Sequence, residues 1–271
     1  MRVLVTGAAG SIGSVLCGGL FDRGHTVAAM DLVPELEGFT GDWFTADCAD
    51  PDAVDAVFGA IGIGRLDAVV HLAGMPGEAS LPEELASHVV TTGALLDAMV
   101  RHGVPRIVYA SSNHAVGRTA AGEPLRTDVR PRPDTFYGVA KVAAEALLSL
   151  YVDRHGLDAV AARIGSFLPQ PDSRRALSTW LSHDDAVRMV EACLTTPDPG
   201  FAVLHGVSAN TRGWWDLEPG HALGYHPEDD AERFAHLVDP GPHDEAEAAY
   251  VGGPMATDAF LRPALDRTGP A

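Results

Sequence analysis

VLVTGAAGSIGSVL, Val3–Leu16, is the stretch that decides the fold. A short apolar run closes at Thr6, glycines stand at Gly7, Gly10 and Gly13, and a helical pattern opens at Ser11. Glycine at these three places allows a tight strand-to-helix turn, close approach of a ligand to the backbone, and close packing of helix on strand. The helix start also offers unpaired N–H groups and a partial positive charge, which suit a pyrophosphate. Such a turn can also stand without a ligand, so its meaning depends on what surrounds it.

The surroundings repeat the same unit. Short strand-like runs at Arg2–Thr6, Thr26–Asp31, Asp42–Asp47, Asp67–Leu72, Arg106–Ser111 and Leu157–Arg163 alternate with amphipathic segments at Ser11–Arg23, Pro51–Ile61, Pro82–His102 and Phe136–Arg154. Alternation of this kind predicts parallel strands joined by right-handed crossovers, an α/β fold with a Rossmann-type doubly wound parallel sheet. Asp31 falls at the end of the second run, where a carboxylate accepts both hydroxyls of an adenine ribose and repels a 2′-phosphate. The residues that follow, LVPELEG, carry no Arg or Lys to receive one. NAD rather than NADP is the expected cofactor. Asp47 is a weaker candidate for the adenine edge. Past residue 165 the pattern loosens, with a helix expected at His183–Thr195 and a strand at Phe201–Val207. The chain reads as one domain, 1–271, in which residues from about 166 to 271 contribute a substrate cap.

Charge narrows the partners. The formal net charge is −18, from 37 Asp and Glu against 19 Lys and Arg. Such a surface repels phosphate backbones and anionic lipids, so neither nucleic acid nor membrane is an expected partner. An acidic substrate would need a local cation. The three cysteines, Cys17, Cys48 and Cys193, lack metal spacing and read as packing. No signal peptide or membrane span is legible, and a cytoplasmic location is expected.

Chemistry enters with YGVAK. Tyr137 and Lys141 are one helical turn apart and project from one face. An ammonium one turn away, with a cationic nicotinamide ring, would stabilise a phenolate and bring a tyrosine toward use as a base. With the glycine loop, Asp31, and ASSNH closing the fifth strand, the chain resembles the extended short-chain dehydrogenase/reductase family. The resemblance implies that Tyr137 is the acid/base, that Lys141 binds the nicotinamide ribose and tunes Tyr137, and that Ser112 hydrogen-bonds the reacting oxygen. HLAG, His71–Gly74, matches the family's cofactor-lining segment. The cofactor-binding set so implied is Gly7, Gly10, Ser11, Ile12, Gly13, Asp31, Asp47, Cys48, Leu72, Ala73, Ser111, Tyr137, Lys141 and Ile164. One departure is His88, where the family often has Asn.

SSNHAVG, RPDTFYGVAK, RIGSFLPQPDSRRALSTWLSHDD and GVSANTRGWWD further resemble the bacterial uronate dehydrogenases, from Met1 to about Phe260. These enzymes use NAD to oxidise the anomeric carbon of D-glucuronate or D-galacturonate to an aldaric acid lactone. The likeness implies that Ser112, Asn113, His114 and Ser166 bind the sugar and that Arg175 clamps its carboxylate, with Arg174 left to solvent. Trp214 and Trp215 are expected to pack the cap. Where that family tends to carry a serine, this chain has Pro76, which removes one hydroxyl contact. Three other readings compete. A nucleotide-sugar epimerase or dehydratase would need basic residues for a diphosphate, yet residues 190–271 offer only Arg212, Arg233, Arg262 and Arg267. A silent NAD-binding protein would tend to lose the Tyr–Lys pair. A dehydrogenase of another sugar acid or an aldose would keep everything but the substrate. By analogy with the family, helices 82–102 and 136–154 would pair subunits in a homo-oligomer.

Overall fold

The computed structural model describes residues 1–258 and residue 260. In chain order it runs β1 (Arg2–Thr6), α1 (Ser11–Asp22), β2 (Thr26–Asp31), β3 (Asp42–Thr45), α2 (Pro51–Ile61), β4 (Ala68–His71), α3 (Leu81–Leu85), a π-helical turn (Ala86–Val90), α4 (Thr91–His102) and β5 (Arg106–Ser112). Then follow α5 (Phe136–His155), β6 (Asp158–Ile164), β7 (Ser166–Phe167), α6 (Ala176–Thr179), β8 (Trp180–Leu181), α7 (His183–Thr195) and β9 (Phe201–Gly206). Seven strands form one sheet in the order β3-β2-β1-β4-β5-β6-β9, and every neighbouring pair is parallel. The doubly wound sheet expected from the alternation is present. The order reverses between β1 and β4, which opens a crevice beyond their carboxyl ends.

Strands β1, β2, β4, β5 and β6 are buried on both faces, as their nearly continuous apolar runs require, whereas the edge strand β3 has no buried residue. Alternation along β1 divides the core. Val3 and Val5 pack with Leu16 and Leu20 of α1 and with Val187 and Val190 of α7. Leu4 packs on the opposite face with Val54, Phe58, Leu95, Met99 and Leu148. Each such side chain, fully buried, contributes ~1.5–3 kcal/mol. Close contact of α1 with α7 depends on a missing side chain, because a Cβ on Gly19 would stand 2.4 Å from Val187 Cγ2.

Two expectations need correction. The helix read over Pro82–His102 is broken into α3, a π turn and α4. Thr91 and Thr92 donate their hydroxyls to the carbonyls of Ser87 and His88 in that turn, which gives its widened backbone extra partners. The third strand stops at Thr45, so Asp47 lies in the loop beyond it. There the Asp47 side chain accepts the Ala49 N–H at 2.8 Å, Asp50 caps α2, and the chain turns instead of extending.

Within residues 166–258, α7 and β9 belong to the main sheet layer, and the remainder, termed the cap, lies outside that sheet. Trp214 and Trp215 stack with ring centroids 4.2 Å apart. Trp215 is buried with Val116, Leu125, Val207 and Val251, and its indole N–H donates to Ser178 O, so the pair packs the cap. Residues 259 and 261–271, with Arg262 and Arg267, lie outside the described residues.

Candidate active site

The glycine loop has the geometry its chemistry demands. Gly7 sits at φ +68, and a Cβ there would come within 2.7 Å of the Ala73 backbone nitrogen. A Cβ on Gly13 would meet Gly7 O at 2.2 Å. Helix and strand therefore touch backbone to backbone, and α1 begins at Ser11 with no side-chain cap and no acidic residue in its first turn. Its free N–H groups and dipole are left for an anion. Asp31 closes β2 and accepts the Ala9 N–H at 2.9 Å through Oδ2, which fixes the carboxylate beside the loop.

A cavity of about 850 Å³ runs from this loop across the carboxyl ends of the strands. At one end it is lined by Asp31, Asp47 and Cys48, and at the other by Ser112, Tyr137 and Lys141. Gly7, Gly10, Ser11, Ile12, Gly13, Leu72, Ala73, Ser111 and Ile164 also line it, so every residue of the expected cofactor set borders one space. The glycine cradle and the Asp31 carboxylate on the same cavity fit NAD. Ser111 contributes differently from a free hydroxyl, since its Oγ is held by Glu145 Oε1 at 2.5 Å. Cys48 is a wall residue, with burial pushing its thiol up to about 12.

Helix α5 delivers the reactive pair. Thr135 caps it by accepting the Gly138 N–H at 2.9 Å, and Glu78 reaches in from the loop after β4. The two Glu78 oxygens accept the N–H groups of Phe136 and Tyr137, each at 3.0 Å. Four residues on from Tyr137, Lys141 is buried, donates to Ala110 O at 2.7 Å, and lies 5.3 Å from the centroid of the Tyr137 ring. Burial lowers Lys141 to about 7, opposed by the charges of Glu84 and Glu145. Burial also raises Tyr137 to about 12, while its hydrogen bond to Ser112 pulls the other way. In the protein alone, the expected lowering of the phenol is thus outweighed by desolvation.

Two histidine rings stand edge-on to Tyr137, His88 at 5.2 Å and His114 at 5.9 Å between centroids. The π turn brings His88 over Gly74, whose Cβ would lie 2.5 Å from His88 Nδ1. His88 Nε2 is 3.1 Å from Met75 O and 3.3 Å from Glu84 Oε2, and burial lowers the ring to about 3, so it is neutral. Pro76 is exposed on the same loop.

The four residues after β5 and in the cap form a second group beside this cavity. Ser112 Oγ accepts the His114 N–H at 3.2 Å and donates to Asn113 Oδ1 at 3.3 Å. His114 Nδ1 contacts both oxygens of the buried Asp134, at 2.9 and 3.1 Å. Arg175 donates to Ser166 Oγ at 3.3 Å and to Val251 O at 3.0 Å. Ser166, Asn113, His114 and Arg175 are not among the residues that line the large cavity, although Gly165 and Phe167 on either side of Ser166 are. Arg174 is half exposed and pairs with Asp244, as expected of a solvent residue. Glu78, Glu84 and Asp134 were not legible as site residues, although Glu84 falls in the first turn of the helix read from Pro82 and Asp134 lies two residues before the one read from Phe136.

The arrangement has known counterparts. The model of the NAD dependent epimerase/dehydratase family matches residues 3–184. Uronate dehydrogenase from Pseudomonas syringae pv. tomato is 38% identical over 258 residues, covering 93% of this chain and 92% of the relative. Glucuronic acid dehydrogenase from Chromohalobacter salexigens superposes with a TM-score of 0.88 at 33% identity, covering 98% of this chain and 99% of that one. A mutant uronate dehydrogenase from Agrobacterium tumefaciens, crystallised in complex with NAD, superposes at 0.86 with 38% identity, covering 94% and 96%.

Proposed function

As the chain belongs to the NAD dependent epimerase/dehydratase family, we propose that it oxidises a hexuronate, D-glucuronate or D-galacturonate, at C1 to the aldaric acid lactone. NAD supplies the hydride acceptor when bound. The observation that carries the substrate is Arg175. It is a largely buried guanidinium whose hydrogen bonds go only to a hydroxyl and a carbonyl, with Nε unpartnered and no carboxylate at ion-pair distance among the described residues. Asp134, Glu247 and Asp172 act on it only at a distance, and a buried cation with no direct ion pair is costly. A planar, bidentate carboxylate on the substrate would relieve that cost and fix the sugar by its acid end.

With the acid end held, the C1 hydroxyl is presented to Tyr137. Tyr137, in its ionised form, takes the hydroxyl proton while Ser112 holds the same oxygen. Lys141 favours that form by its charge, and the His88 and His114 edges confine the ring. Much of the rate comes from holding the reacting atoms ~3–3.5 Å apart in a water-poor site. A panel of hexuronates, other sugar acids and neutral aldoses, incubated with enzyme and NAD and followed by NADH absorbance, tests the reading. Preference for a neutral aldose would overturn the substrate and leave the oxidoreductase.

A further inference from the structure

The cap meets the second group of residues through one short ribbon. Ala121 N–H donates to Ala249 O, Val251 N–H to Thr119 O and Gly252 N–H to Gly117 O, at 2.9–3.1 Å, so the two segments run antiparallel. The Val251 carbonyl is left to accept from Asn113 Nδ2 at 3.4 Å and from Arg175 Nη2 at 3.0 Å. One backbone oxygen therefore sets two side chains that are far apart in the chain.

The ribbon rests on Asp134. A Cβ on Gly117 would come within 2.1 Å of Asp134 Oδ2, and one on Gly252 within 1.7 Å, so both glycines lie directly on that carboxylate. Gly253, at φ +59, lies as closely on Arg175, its Cβ falling 2.0 Å from Nε. The Asp134 side chain is fully buried and also accepts from Thr135 Oγ1 at 3.2 Å. Its remaining partner is His114 Nδ1.

We infer that Asp134 is a specificity-determining positioning residue, which seats the Val251–Gly253 turn against Asn113 and Arg175 and orients His114. The inference rests on the hexuronate reading above. The Asp134 carboxylate takes up the Nδ1 edge of His114, which fixes the plane of the ring and leaves Nε2 as the edge offered to the sugar. With one carboxylate already behind the ring, that edge suits a sugar hydroxyl better than a second carboxylate. Asp134 thereby divides the labour: the hydroxyl end belongs to His114 and the acid end to Arg175. A buried negative charge behind His114 further disfavours the reversed sugar.

The test compares Asp134→Ala, Asp134→Asn and Gly252→Ala with the wild type, using glucuronate, galacturonate, glucose and galactose with NAD. Asp134→Ala should raise KM for the uronates about tenfold to a hundredfold, with a smaller fall in kcat, and narrow the kcat/KM ratio of uronate over aldose. Gly252→Ala keeps the carboxylate but lifts the turn, and should reproduce the KM effect even where Asp134→Ala folds poorly. Asp134→Asn keeps a hydrogen-bonding partner for Nδ1 and should lie between. NADH binding, read by fluorescence, should match wild type in all three. Folded variants that bind NADH normally and keep the wild-type discrimination overturn the role of Asp134. A wild type that prefers glucose or galactose overturns the hexuronate reading instead.

Discussion

Lys141 Nζ lies 5.3 Å from the centroid of the Tyr137 ring and is anchored to Ala110 O. Burial works against both groups, raising the phenol to about 12 and lowering the ammonium to about 7. The proton-accepting phenolate becomes more populated as pH rises, so kcat/KM should climb through the neutral and alkaline range. Lys141 carries its charge only up to about pH 7, so Lys141→Met should lower kcat/KM most at neutral pH and below, and least on the alkaline limb. Tyr137→Phe should lower kcat by ~100- to 10,000-fold with NAD affinity nearly intact. Retention of most of the activity in the Tyr137→Phe enzyme would end the assignment of Tyr137 as base.

Asp31 stands beside the glycine loop with its carboxylate held by the Ala9 N–H. NAD should therefore support turnover far better than NADP, whose extra phosphate would face a fixed negative charge. Steady-state kinetics with both cofactors checks this, and equal kcat/KM values would remove the role given to Asp31. Asp31→Ala combined with Leu32→Arg should narrow the gap.

Arg175 and Arg174 provide a matched pair of tests. Arg175→Ala should raise KM for the uronates by roughly 30- to 1,000-fold, the equivalent of ~2–4 kcal/mol for a lost charge-assisted bidentate contact. Neutral aldoses, if turned over, should scarcely notice. Arg174 is half exposed and pairs with Asp244, so Arg174→Ala should change little. A larger effect at Arg174 would transfer the clamp to the other arginine and sink the present choice.

Glu78 ties the loop after β4 to the helix that carries the base, through the N–H groups of Phe136 and Tyr137. Glu78→Ala leaves both donors without their acceptor and removes a negative charge from a helix N-terminus. The expected loss is about 1–2 kcal/mol of stability, visible as a lower Tm. Because Tyr137 is on that first turn, kcat should fall while the NADH dissociation constant holds. An unchanged Tm and kcat would reduce the contact to an incidental one.

The sheet and the cofactor trough were legible because their signals are local. Strand, glycines, helix and ribose carboxylate of the first unit lie within Arg2–Asp31, and each has a distinct spacing. What escaped is built from distant partners or from small changes of register. Glu78 meets Tyr137 only because the loop after β4 converges on the start of α5, and Asp134 meets Gly252 across nearly half the chain. The π turn differs from an α-helix by one residue of hydrogen-bond register, which the apolar pattern around His88 does not record. The lowering of the Tyr137 pKa was expected from its neighbouring charge, but burial, which no spacing reveals, dominates in the protein itself.

The close approach of Gly19 to Val187 has a consequence for how the chain is made. Helix α1 leaves the ribosome before α7, which covers it and follows about 170 residues later. At ~5–20 residues per second, the Leu16–Leu20 face waits roughly ten to thirty seconds for its partner. During that interval the nascent chain carries an apolar helix face without its native cover. Slow codons or a truncation between β6 and α7 would prolong that vulnerable period and favour aggregation over completion of the sheet.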